Sequence, residues 1–208
     1  MELLRSVLKN LPEFQELTAA LEGGKSPAAV SGLAAVHRAH FATALGQETG
    51  RPVVVVCADE GEAGRMARDL SYLTGGEVPV LASRSFVFHS IATVSHQWEH
   101  KRLDLLWRLR RGELPCLVAT VEALQQRTLP PQVLDSACTV LEPGQQADLN
   151  RLTEALAAAG YVRCDQVEGA GQFALRGGIL DVYSPGMAAP VRAEFWGDEL
   201  DTMGTFDP

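Results

Sequence analysis

A parallel α/β domain followed by a smaller α+β domain is the architecture this sequence predicts. Apolar strand-like runs alternate with helical patterns over the first part of the chain, as in "RPVVVVCAD", "VPVLAS" and "LPCLVAT", and that rhythm means parallel strands covered by helices. The rhythm breaks at "LPPQVLDS", whose prolines and polar tail read as a hinge. Beyond it come short alternating segments separated by Gly/Pro turns, which predict an antiparallel sheet with a helix on one face. The boundary falls between residues 1–130 and 131–208, with helices over residues 1–24.

Leu3, Leu4, Val7, Leu8 and Leu11 recur at helical spacing until Pro12 interrupts them. Phe14, Leu17 and Leu21 continue the pattern, and Gly23-Gly24 stops it. Residues 33–45 predict another helix. The continuous valine run before Cys57 has the character of a strand buried on both faces. "EGEAGRMARDLSYL" is a helix whose acidic start suits the helix dipole. Residues 95–111 are helical and charged, and "VEALQQRT" is a short helix after the third strand. In the second part, "ACTVLEPG" predicts a strand and turn, and residues 148–158 an Ala-rich amphipathic helix stopped by Gly160. "YVRCDQVE", "QFALR", "GILDVYSP", "VRAEFWGDE" and "LDTMGTFD" are strands and turns.

With 46% apolar residues, the 208-residue chain can build a sizeable core. Its net charge of -8 argues against general DNA binding, which needs clustered positive charge. The Lys101–Arg111 stretch is a local basic exception. No run approaches the roughly 18 apolar residues of a membrane span. The N-terminus is too charged for a signal peptide. Cys57, Cys116, Cys138 and Cys164 are widely spaced, as reduced thiols in a cytosolic protein would be. The expected compartment is therefore the cytoplasm.

Two stretches invite a chemical reading. "SGLAAVHRAH" occupies the position of a phosphate-gripping loop. That loop needs flanking glycines for backbone N–H donors, a lysine against the β- and γ-phosphates, and a hydroxyl for Mg²⁺. Laid over Ala29–Val36, the pattern keeps only Gly32 inside the loop. Ala29 and Ala34 replace the flanking glycines, Ala35 the lysine and Val36 the hydroxyl. A degenerate loop of Gly32, Ala35 and Val36 is not expected to bind nucleotide, so no cofactor is expected. "HQWEH" matches H-x-x-E-H, in which His96 and His100 would share a zinc ion and Glu99 would activate its water. No third ligand is evident, and the plain alternative is a solvated helix face. A zinc-dependent hydrolase is the alternative reading.

The stretch "FALRGGILDVYSP", followed by "VRAEFWGDELDTMGTFDP", resembles a segment shared by the bacterial repair helicase UvrB and the N-terminal part of the transcription-repair coupling factors. Phe173, Arg176, Gly177, Asp181, Tyr183, Pro185, Phe195, Gly197, Asp198 and Glu199 carry the pattern. Val121, Leu124, Gln126 and Arg127 match a run upstream in the coupling factors. The long aromatic hairpin of UvrB has no room here. The resemblance implies a RecA-like first domain with a degenerate P-loop, then a small domain that docks on the repair ATPase UvrA. It implies recruitment of UvrA to stalled RNA polymerase without ATP hydrolysis by this part. Polymerase and DNA contacts, and the working ATP-dependent translocase, would lie in the remainder of a longer protein. Arg163 and Arg176 match docking arginines of UvrB, while Ala174 stands where that family has a third. Phe173 and Tyr183 complete the expected UvrA-binding set, since Arg with aromatic neighbours is the composition of an interface anchor.

Overall fold

The computed structural model describes residues 7–84 and 97–208. Leu3 and Leu4 of the first helical pattern, and His96 of the H-x-x-E-H match, lie outside them. The chain divides into two compact units. Among the described residues, the first takes in residues 7–84 with Leu105–Arg127, and the second residues 97–104 with Thr128–Pro208.

In the first unit, helix α1 spans Pro12–Glu22. Residues 7–9 are helical and the helix breaks before Pro12, as expected, and Pro12 itself opens α1, because the first helical position has no use for an N–H and suits the fixed φ of proline. Phe14 is buried and meets Phe41 edge to face at 5.3 Å. Helix α2 (Ala35–Thr49) ends at Gly50, which takes the left-handed conformation. Strand β1 (Val53–Cys57) leads into α3 (Glu60–Thr74). Asp59 caps α3 by accepting the Glu62 N–H at 2.7 Å, and Glu62 in turn accepts the Ala58 N–H. Strand β2 is only Val80–Leu81, α4 is Gln97–Arg110, β3 is Cys116–Thr120 and α5 is Val121–Gln125.

All pairings are parallel, in the order β1-β3-β2. The central β3 is buried along its whole length. One face packs Cys57, Cys116 and Val118 against Ala63, Met66, Ala67 and Leu70 of α3. The other packs Leu81, Leu117 and Ala119 with Leu105 and Leu109. The valine run is not buried on both faces as its composition predicts. β1 is an edge strand, and Val54 and Val56 are 45% and 49% exposed.

After Thr128 the second unit continues with α6 (Pro131–Ala137), where a hinge was expected. Its proline pair supplies the N-cap and the first helical residue, so the same chemistry that breaks a helix interior starts one here. Residues 138–147 form the expected turn, at 143–144, but not the expected strand. They run beside a later strand instead, Gly144 donating to the Leu200 carbonyl and Leu200 donating to that of Gln145. Helix α7 (Leu149–Ala158) is capped by Asp148, which accepts from the N–H groups of Asn150 and Arg151. Strands β4 (Val162–Arg163), β5 (Gln172–Arg176), β6 (Ile179–Tyr183), β7 (Val191–Trp196) and β8 (Glu199–Thr205) follow. They lie side by side in chain order. The sheet is mixed rather than antiparallel throughout, because β4 runs parallel to β5. Leu149, Leu152 and Leu156 of α7 cover Phe173, Leu180, Ala193, Phe195 and Leu200. The first half of α4 also reaches this unit. Asp104 fills the space where a Cβ on Gly186 would sit, and the His100 ring lies over Gly171.

Candidate docking face

Side chains alternate across a strand, and cross-strand partners share a face. On β5, Phe173 and Leu175 therefore face α7, while Gln172, Ala174 and Arg176 face away. Register extends the outer face: Ala174 stands opposite Asp181, and Asp181 opposite Arg192. Ile179 stands opposite Arg176 on one side and Glu194 on the other.

Asp181 is the centre of this face. Its side chain is 3% exposed, and a carboxylate so placed needs cationic partners. Arg192 supplies two hydrogen bonds, Nε to Oδ1 at 2.7 Å and a second guanidinium nitrogen to Oδ2 at 2.8 Å. This is the fork geometry that only arginine offers. Arg176 adds one bond to Oδ2 at 3.1 Å. The bonds from Arg192 pull the Asp181 carboxyl below its ordinary range; burial pushes the other way, and Arg176 adds to the lowering. The Phe206 ring stacks with the Arg192 guanidinium, 4.7 Å from ring centre to carbon. The acid orients both guanidinium groups while Arg176 stays 59% exposed.

The expected binding residues separate. Arg176 is on the outer face. Tyr183 shares that face and donates its hydroxyl to the Ala188 carbonyl at 3.3 Å. Phe173 is 2% exposed in the core, so its ring does not reach a partner. Arg163 is exposed but stands opposite Phe173 in the β4–β5 ladder, hence on the other face from Arg176. The strands are neighbours as expected; the two guanidinium groups do not share a surface. Arg192 was missed, although the alternation in "VRAEFW" places it outward beside the acid.

The other two stretches give less. Gly32 has φ +82° in a loop before α2, and Ala35 and Val36 form the first turn of that helix. Glu99 and His100 lie on α4 without His96 among the described residues. Among those residues no group of three or more His, Cys, Asp or Glu could hold a metal ion.

The family model described as the UvrB interaction domain matches residues 140–208. The chain is 29% identical over 208 residues, its full length, to the transcription-repair-coupling factor of Bacillus subtilis (strain 168). It is 34% identical over 185 residues, 85% of the chain, to that of Myxococcus xanthus. It is 32% identical over 202 residues, 94% of the chain, to that of Mycobacterium tuberculosis. The chain belongs to the transcription-repair-coupling factor family. It spans 18%, 15% and 16% of those three relatives. The UvrB interaction domain takes in the helix α7 and the whole five-stranded sheet, with its Arg176–Asp181–Arg192 set. No helix among the described residues is long and apolar enough to cross a membrane.

Proposed function

We propose that this chain is the UvrA-recruiting part of a coupling factor, and that it works by holding a partner rather than by hydrolysing ATP. The observation that carries the reading is the exposed Arg176, oriented by a buried carboxylate on the outer sheet face of the UvrB interaction domain. A guanidinium already held in place loses little freedom when it meets a carboxylate. The first unit keeps a parallel sheet between helices, in keeping with a RecA-like ancestor. Its loop at Gly32 lacks the lysine and hydroxyl that a triphosphate with magnesium demands. Contacts to RNA polymerase and DNA belong to the remainder of the longer protein.

Titration of the purified chain with UvrA tests this. Arg176→Ala should weaken binding by about 2–5 kcal/mol, the cost of leaving a buried partner carboxylate unpaired. Arg163→Ala should have a smaller effect, because that residue belongs to the other face. Wild-type affinity in the Arg176 variant would remove the site, and no binding by the wild-type chain would remove the function.

A further inference from the structure

The strongest unassigned surface feature lies at one end of the same sheet face. Trp196 is 87% exposed. A lone exposed apolar residue needs no explanation, but this one has neighbours fixed by the sheet. Ile179 pairs with Glu194, and the next ladder bond runs from the Phe195 N–H to the Gly178 carbonyl at 2.8 Å. Trp196 is two residues beyond Glu194 on the same face of β7, past the end of that ladder, with the strand of Ile179 between it and the strand of Arg176. Alternation along β7 turns Phe195 into the core and Trp196 outward with Arg192 and Glu194. Arg176, the 37%-exposed Ile179 and Trp196 thus gather at one end of the outer face, with Glu194 on the polar side.

The support beneath them is stiff. A Cβ on Gly178 would come within 2.6 Å of the Phe195 carbonyl oxygen, so the tip of the β5–β6 hairpin lies close beside β7. Gly197, at φ +66°, turns the chain directly after Trp196 into β8. An indole has only two side-chain torsions to fix on binding, so a tryptophan on a rigid strand end is a low-entropy anchor.

We infer that Trp196 is the aromatic anchor of the docking face, entering an apolar recess of the partner beside a carboxylate that meets Arg176. This rests on the docking reading above and specifies the chemistry of the surface it fits. Arg176 gives one hydrogen bond to Asp181, which leaves guanidinium donors for that outside acid. Tryptophan and arginine are both enriched where binding energy concentrates.

The test uses the whole chain and UvrA. Trp196→Ala should lower affinity at least about thirtyfold, the loss typical of an interface hot spot, with an unchanged melting temperature. Trp196→Phe should retain most of the affinity. A second readout needs no variant in the complex. The chain labelled with 5-fluorotryptophan has three fluorine resonances, one per tryptophan. The one lost in Trp196→Phe should shift on UvrA addition and become shielded from solvent. Unchanged affinity in Trp196→Ala, with Arg176→Ala still impaired, would overturn the anchor and leave the docking reading standing. An unperturbed Trp196 resonance in a saturated complex would overturn it too. Absence of binding by the wild-type chain would instead remove the docking reading itself.

Discussion

Asp181 is the one carboxylate among the described residues that is fully buried, and its neighbours decide what that means. A buried acid alone would take up a proton; with Arg192 forked onto it and Arg176 beside it, the charged form is favoured. The folded carboxyl titrates below its unfolded value of about 3.9. Its stabilising contribution is therefore complete above that value and is lost as pH falls through the lower, folded one. Asp181→Ala should cost about 1–3 kcal/mol in urea unfolding at neutral pH, less than for a sealed ion pair because both guanidinium groups can turn to water. The difference from wild type should hold at neutral pH and shrink below about pH 4. A variant that matches wild type at neutral pH would show that the acid is not the organiser of this face. The same residues show how far the sequence could be read. Phe173 and Arg176 are three apart, and residues an odd number apart in a strand face opposite ways. The alternation of "QFALR" thus held the information that the phenylalanine belongs to the core. The expected Arg/aromatic set grouped them by nearness along the chain instead.

Among the elements, those with strong local signals were legible and those defined by partners were not. Helix α3 announced itself by its acidic first turn. Strands β5 to β8 announced themselves by alternation. The parallel β4–β5 pair was hidden, because two residues of strand carry no period and their direction depends on the path of residues 164–171. Helix α6 was hidden by its prolines, which signal a break or a start according to which side the helix lies. The β5–β6 hairpin offers a sharp test of element packing. Gly178→Ala puts a methyl where the Phe195 carbonyl oxygen already is. It should destabilise the fold by about 1–3 kcal/mol, as overpacking does. A thermal melt at or above the wild-type midpoint would show that the two strands part more easily than their ladder implies.

At the scale of the molecule, the chain divides into two compact units, and the change in rhythm near residue 130 did not reveal the reach of α4. Its first half belongs to the second unit, where Asp104 fills the space over Gly186 and His100 covers Gly171. Nothing in a charged amphipathic helix says which neighbour it serves. A fragment of residues 97–208 should therefore melt higher than one of residues 128–208, by circular dichroism under identical conditions. Equal midpoints would mean that this half-helix adds nothing to the unit.

Past β8 the chain is fastened twice, by the Phe206 N–H to the Pro190 carbonyl and by its ring over Arg192. Arg192 in turn grips the acid that steers Arg176. The exit of the last strand is thus clipped to the same carboxylate as the exposed arginine. Fraying at that end would strip Arg192 of its aromatic cover and leave the carboxylate to hold both guanidinium groups unaided.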